Sequence, residues 1–120
     1  MSETQWLDDL FATIDRKDAD GFVAHLTEDG TFVFGNADPV RGRTAIRDLL
    51  AGFFGSIRGL RHDLREKWVV PGGAVVTGRV TYTRHDGSTL EVPFADVFRM
   101  RGHLVHDYLI YVDASKLYNP

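Results

Sequence analysis

Four ionisable side chains lie on strand faces whose other residues are mainly apolar: His62, Arg79, Asp96 and Asp107. A charge is costly to bury alone, so such groups must pair, shift their pKa values or take part in chemistry. The chain has no cysteine, and proton transfer by positioned acids and bases is the chemistry that these residue types support. We expect Asp107 to act as a general base oriented by Arg79, with Asp96 as proton donor and His62 as a second proton carrier.

The same residues also admit a purely structural interpretation. Arg79 can form a buried ion pair with Asp107 or Asp96, and His62 can be a core histidine whose hydrogen bonds are satisfied. Asp15 is interpreted as a helix-end cap, a role that aspartate commonly fills. The sequence alone leaves the catalytic and the structural interpretations open.

Further residues are predicted to form the walls of a pocket around these groups. Phe94 and Phe98 alternate with Asp96 and place two aromatic rings on its face of the strand. The other predicted substrate-binding residues are Phe34, Asn36, Trp68, Thr81 and Tyr111.

Two hydrophobic periods predict the elements that position these groups. Helical spacing indicates a helix over residues 6–14, a short one capped by Asp18, and a third capped by Thr44. Ser2 or Thr4 is expected to cap the first helix, and TEDG is read as a turn before a strand over Thr31–Phe34. Alternation of period two then predicts four strands, over residues 60–70, 74–84, 89–100 and 104–112. The expected fold is α+β, one domain over residues 1–120 with three helices packed on an antiparallel sheet.

Several function classes are disfavoured by composition. A net charge of −3 gives no broad attraction for nucleic acid, and no apolar run approaches the ~18 residues of a membrane span. The five histidines are not at metal-binding spacings, so no metal is expected, and no Gly-rich phosphate loop is present, so no cofactor is expected. The opening residues MSETQW do not resemble a signal peptide, which predicts a cytoplasmic protein.

The last strands are apolar on both faces, which predicts a second partner for the sheet. Helices can cover one face, and a second copy of the chain can cover the other. We therefore expect a homodimer through the face that carries Val80, Tyr82, Tyr108 and Ile110.

The segments IDRKDADGFVAHLTEDGTF, PVRGRTAIRDLL, GLRH and PFADVFRM, in this order, resemble the SnoaL-like members of the NTF2-like superfamily. This resemblance covers about residues 5–115. It implies a cone-shaped fold with a curved sheet that encloses a pocket for a small hydrophobic molecule. The superfamily includes enzymes, transport factors and binding-only proteins, so the fold does not by itself give the function.

Three enzyme families of this superfamily resemble the chain in part. ADVFRM is similar to the ketosteroid isomerase strand with a protonated aspartate, here Asp96, although the isomerase tyrosine and base fall on Leu10 and Phe34. Scytalone dehydratase is matched at Asp15 and His62. Limonene-type epoxide hydrolases are matched at Asn36, Arg79 and Asp107, with Phe34 in place of a tyrosine and Thr81 in place of the acid.

Together these observations predict an acid–base enzyme of cyclase, dehydratase, isomerase or epoxide-hydrolase type. Its substrate is expected to be a hydrophobic, oxygen-bearing small molecule. The alternative is a non-catalytic domain that binds a small molecule or serves as a dimeric accessory module.

Overall fold

The computed structural model describes residues 4–119, which form three helices and six strands. The helices are α1 (Gln5–Asp15), α2 (Ala19–Val23) and α3 (Arg43–Gly55). The strands are β1 (Leu26–Phe34), β2 (Val40–Arg41), β3 (Gly59–Val70), β4 (Gly73–Thr83), β5 (Thr89–Arg101) and β6 (Leu104–Val112). The predicted fold class is confirmed: three helices pack against one curved, open sheet. None of the described helices is long and apolar enough to cross a membrane.

The sheet has the strand order β2-β1-β6-β5-β4-β3. Strands β3 to β6 form the predicted antiparallel meander. Strand β1 lies beside β6 and runs parallel to it, so the sheet is mixed at this pair. The short strand β2 forms one edge of the sheet and pairs with β1 in antiparallel orientation.

The helix boundaries follow the predicted signals with one difference. Asp18 caps α2 as expected, because its Oδ1 accepts a hydrogen bond of 2.9 Å from the backbone N–H of Gly21. Helix α3 begins at Arg43 after Gly42, whose φ of 93° favours glycine, so the prediction of Thr44 as its cap is wrong. Thr4 stands at the N-cap of α1, and Ser2 lies outside the described residues.

The predicted turn at residues 27–30 is also wrong, because this segment belongs to β1. Its pairing with β6 is irregular between Leu26 and Thr31. An irregularity of this kind accommodates polar and glycine residues inside a strand, which explains why TEDG resembles a turn in sequence.

The hydrophobic core lies between the helices and the inner face of the sheet. Val80, Tyr82 and Tyr108 are buried in this core, and Ile110 packs against it. The prediction that these four residues form a dimer face is therefore wrong. Strand β6 is largely apolar on both sides, with Leu109 on one face and Tyr108 and Ile110 on the other, so its alternation alone does not tell which side the helices cover.

Candidate active site

A cavity of about 160 Å³ lies between the inner sheet face and the helices. Eight of the residues that line it are phenylalanine or tyrosine, so the walls are mainly aromatic and apolar. The side chains that bring charge or titratable protons into it are few, and they come from neighbouring strands. They are His62 of β3, Tyr82 of β4, Asp96 of β5 and Tyr108 of β6.

Among the described residues that line the cavity, Asp96 carries the one carboxyl group, and only 1% of the residue is exposed. Its Oδ2 accepts a hydrogen bond of 2.7 Å from the Tyr108 hydroxyl, while its Oδ1 has no partner among the described residues. Burial raises the pKa of Asp96 to about 8, and the Tyr108 hydrogen bond offsets only part of that rise. At neutral pH Asp96 is therefore mainly a neutral acid, with its Oδ1 able to carry the proton.

Tyr108 is held in place by packing as well as by this hydrogen bond. Its ring lies 4.4 Å from the ring of Phe98, centroid to centroid, and 5.6 Å from that of Phe32. Burial, followed by the nearby Asp96 charge, raises the pKa of Tyr108 well above its ordinary value. The phenol therefore remains a hydrogen-bond donor to Asp96 throughout the physiological pH range.

His62 is oriented by Asp15, the last residue of α1. The Oδ1 of Asp15 lies 2.6 Å from Nδ1 of the imidazole, and its Oδ2 accepts the backbone N–H of His62 at 3.1 Å. An ionised carboxylate only accepts hydrogen bonds, so the proton of the neutral imidazole must lie on Nδ1. The Nε2 lone pair is then free, and this atom forms no hydrogen bond with any described residue.

Aromatic packing fixes the imidazole on the cavity wall. The ring of His62 lies 4.9 Å from that of Phe11 and 5.3 Å from that of Phe94, with the second pair nearly perpendicular. Phe94 and Asp96 are two residues apart on the same face of β5. The arrangement supplies a base and a neutral acid to one apolar space, which is what proton transfer to and from carbon requires.

Four of the predicted site residues line the cavity: Phe34, His62, Phe94 and Asp96. Phe98 is buried beside them, where its ring supports Tyr108 instead of forming the wall. The structure thus brings together the predicted proton donor and the predicted second proton carrier.

Arg79 and Asp107 lie on the opposite face of the sheet, so the prediction that they point into the same hollow as Asp96 is wrong. Arg79 is paired in register with Pro93, which alternates with Phe94, and its Nε lies 3.5 Å from Glu91. Paired residues of an antiparallel sheet share a face, and successive residues alternate between faces.

Asp107 follows the same rule on the neighbouring strand pair. It is opposite Arg99, next to the buried Phe98, and its carboxylate lies 3.9 Å from the Arg99 guanidinium. Asp107 therefore lies outside the cavity, and its carboxylate is near Arg99 instead of Arg79.

Three predicted substrate-binding residues also face away from the cavity. Thr81 is paired with Glu91 on the outer face, and Tyr111 is 59% exposed. Trp68 is 49% exposed because a β-bulge between Leu64 and Glu66 reverses the alternation of β3, which the sequence pattern did not reveal.

Asn36 is exposed in the loop between β1 and β2, and it does not line the cavity. Its neighbour Ala37 does, together with Leu49 and Phe53 of α3. Ala37 and Leu49 are exposed as well, which places the mouth of the cavity between this loop and α3.

Sequence reasoning interpreted Asp15 as a cap and assigned Tyr82 to a dimer face. The signal for Asp15 was present in its joint match with His62 to scytalone dehydratase. The two residues are 47 positions apart, and no local pattern predicts that they meet. Among residues 4–119, no group of three or more His, Asp or Glu side chains is placed to hold a metal ion.

Comparison with solved structures shows the same fold in several proteins of low sequence identity. A hypothetical protein of ketosteroid isomerase-like fold from Catenulispora acidiphila DSM 44928, in complex with trimethylamine, has a TM-score of 0.87 and 16% identity, covering 95% of this chain and 89% of that one. TerC, co-crystallised with polyporic acid, has a TM-score of 0.81 and 20% identity, covering 95% and 93%. An LEH-like epoxide hydrolase from M. tuberculosis has a TM-score of 0.80 and 13% identity, covering 95% and 84%.

No curated protein matches the chain in sequence. The sequence profile of one domain family does match, over residues 7–108, which span α1 to the middle of β6. This range includes Asp15, His62, Asp96 and Tyr108, so the matched region carries the cavity and its polar groups. On this match, the chain belongs to the family of SnoaL-like domains.

Proposed function

We propose that the protein is an acid–base enzyme that moves protons on a small, hydrophobic, oxygen-bearing molecule bound in the cavity. The observation that carries this proposal is the pairing of two unlike groups on one apolar wall. One is His62, held by Asp15 with its Nε2 free. The other is Asp96, a buried acid with an unpartnered Oδ1. Environments that separate the protonation states of two groups are typical of acid–base sites.

The chemistry follows from the position of the protons. Nε2 of His62 takes a proton from the carbon beside a carbonyl group, and the Asp15 carboxylate stabilises the imidazolium that forms. The Oδ1 proton of Asp96 is donated to the carbonyl oxygen as negative charge develops there, in a cavity with largely apolar walls. Transfer of the imidazolium proton to a different carbon gives isomerisation, and its transfer to a β-hydroxyl group, which leaves as water, gives dehydration. In both cases the carbonyl group re-forms and its oxygen returns the proton to Asp96.

The comparisons support this proposal at the level of the family and fold. One structural neighbour is an LEH-like epoxide hydrolase, and another was co-crystallised with polyporic acid, an oxygen-bearing organic molecule. The reaction of this chain depends on its own residues, and His62 and Asp96 both line the cavity.

The experiment is deuterium exchange at the carbon beside a carbonyl, measured by proton NMR with cyclohexanone in heavy water. The wild-type protein should accelerate exchange, and His62→Gln should reduce that acceleration by about 100-fold or more, the ordinary value of a general base. Asp107→Asn serves as the discriminating variant, because Asp107 lies on the outer face. Loss of exchange in Asp107→Asn with retention in His62→Gln would reject the proposed site.

Binding of the ketone without any exchange would instead favour the second candidate function, a non-catalytic small-molecule-binding domain. That candidate is supported by the character of the cavity, whose walls are largely apolar. In this case His62→Gln and Asp96→Asn should change ligand affinity alone, measured by isothermal calorimetry.

We also propose a homodimer, formed through the outer face of the sheet. The strand register places an apolar row across five strands of this face, namely Trp68, Val75, Val97, Leu109 and Val33. No described helix covers it. Solvent-facing apolar rows of this kind mark interaction surfaces.

The charges beside this row favour a second copy as the occupant. Arg99 and Asp107 lie on one side, and Arg79 and Glu91 lie on the other. Each side carries one cation and one anion, so a two-fold axis can place opposite charges against each other.

Sedimentation velocity over a concentration series tests the dimer. Val97→Glu should shift the protein to monomer, since it places a charge in the centre of the row. Ala51→Glu, on the exposed surface of α3, is the matched control and should leave the assembly unchanged. If the wild-type protein remains monomeric over a 100-fold range of concentration, the proposed interface is refuted.

A further inference from the structure

The charge of the cavity restricts what it can hold. No lysine or arginine is among the described residues that line it, and its one carboxyl group is mainly protonated at neutral pH. An anionic ligand would lose its hydration and meet only the imidazole of His62, which is already paired with the Asp15 carboxylate, so its binding is unfavourable in an apolar space. The cavity therefore suits an uncharged molecule.

The volume of the cavity sets the size of that molecule. About 160 Å³ is close to the volume of engineered apolar cavities that hold a single benzene ring. A volume of this size accommodates one six-membered ring with small substituents.

Tyr82 supplies a second polar end. It is buried, lines the cavity, and packs its ring perpendicular to that of Phe53 at 6.1 Å. Its hydroxyl forms no hydrogen bond with any described residue, unlike that of Tyr108, which is committed to Asp96. Burial, and then the Asp96 charge, raises the pKa of Tyr82, so the phenol stays protonated and remains a donor.

The strand register separates this donor from the acid. Asp96 is opposite Val76 of β4, whereas Tyr82 lies six residues further along the same face of β4 and is opposite Leu90. The two donors therefore approach a bound ring from different positions along the sheet. A ligand that satisfies both must carry two oxygen atoms on separate carbons.

We propose that the substrate is an uncharged, single-ring compound with two oxygens, one received by Asp96 and the other by the Tyr82 hydroxyl. This inference rests on the proposed function for the reacting end of the site. It adds Tyr82 as a residue that positions the ring and selects for the second oxygen.

Isothermal calorimetry with cyclohexanone and cyclohexane-1,4-dione tests it, because the two rings differ by one carbonyl oxygen. The wild-type protein should bind the dione about five- to tenfold more tightly, the value of one added hydrogen bond. Tyr82→Phe should abolish that preference, so that the two ketones bind the variant with equal affinity. Cyclohexanecarboxylate, of similar size but charged, should not bind at neutral pH.

Phe53→Leu is the matched control, since it alters the same wall without removing a hydrogen-bond donor. It should weaken both ketones equally and preserve their ratio. Equal effects of Tyr82→Phe on the two ketones, or a dione that binds no better than cyclohexanone, overturn the inference and leave the proposed proton transfer intact. Failure of both ketones to bind overturns the inference and the proposed function together.

Discussion

Asp15 holds His62 at two points, through the imidazole Nδ1 at 2.6 Å and through the backbone N–H at 3.1 Å. The contact joins the C-terminal end of α1 to β3. It therefore fixes both the tautomer of His62 and the position of α1 on the sheet. A single aspartate thus connects the packing of the fold with the chemistry of the cavity.

The first prediction concerns the tautomer of His62. At a pH above about 8.5, where histidines are neutral, nitrogen-15 NMR of the wild-type protein should show the proton of His62 on Nδ1. Asp15→Asn leaves only one oxygen to serve two donors, so the variant should populate both tautomers. Asp63→Asn, an exposed neighbour on β3, should leave the spectrum of His62 unchanged. A wild-type proton on Nε2 would contradict the proposed role of His62 as a base.

The second prediction concerns the pH dependence of stability. The pKa of Asp96 is about 8 in the folded protein, against about 3.9 for an unfolded aspartate. Between these values the folded state retains the proton that the unfolded state has lost. The Asp96 contribution to the free energy of unfolding should therefore decrease from about pH 4 to pH 8 and level off above it.

Urea denaturation of wild type and Asp96→Asn at several pH values measures this contribution. The variant should gain stability relative to wild type as the pH rises through this window, by up to a few kcal/mol in total. Asp107→Asn provides the control on the outer face and should keep the wild-type slope. A constant difference between wild type and Asp96→Asn at all pH values would show that Asp96 is ionised when buried.

The sequence predicted the elements well because their signals are local. The helical spacing of α1, the cap at Asp18 and the alternation of β5 each depend on residues within a few positions of one another. Phe94, Asp96 and Phe98 were correctly predicted to share a face, because β5 pairs with β4 in an unbroken register through this stretch and strand alternation therefore holds.

The errors in the site came from features that are set by tertiary structure. On β4, the face with Val80 and Tyr82 was assigned to a second copy of the chain, whereas the helices cover it and Arg79 lies on the outer face. On β3, the bulge before Glu66 moved Trp68 to the outer face. The contact of Asp15 with His62 depends on how α1 docks, which no local pattern encodes.

The third prediction compares two glycines. At Gly78 of β4, an added Cβ would lie 2.1 Å from the carbonyl oxygen of Asp63 and 3.1 Å from the ring of Phe94. Since the first contact is with backbone, Gly78→Ala should destabilise the protein by more than about 2 kcal/mol. Gly52→Ala in α3 meets no atom within 4 Å and should stabilise it by about 0.5–1 kcal/mol. Thermal and urea denaturation measure both, and equal effects would contradict the close approach of β3 and β4 at Gly78.

The fourth prediction concerns Lys17, which lies outside α3 and donates hydrogen bonds to carbonyl oxygens at and after its C-terminal end. Its Nζ donates to the carbonyl oxygens of Phe54, Ile57 and Arg58 at 3.4, 3.3 and 3.0 Å. A cation at this position satisfies carbonyls that lack helical partners and interacts favourably with the helix dipole. Lys17→Met keeps most of the chain length but removes the charge and the donors, and it should cost about 1–2 kcal/mol.

The backbone of Lys17 makes a second substitution informative. Its φ of 58° lies in the left-handed region that glycine adopts readily. Lys17→Gly therefore loses the same hydrogen bonds but removes the conformational strain of a positive φ. It should destabilise the protein less than Lys17→Met does. Lys116→Met, on the exposed C-terminal segment, should have little effect in the same urea titration. If Lys17→Met were as stable as wild type, the three carbonyl contacts would carry no net free energy, and α3 would be held by its apolar face alone.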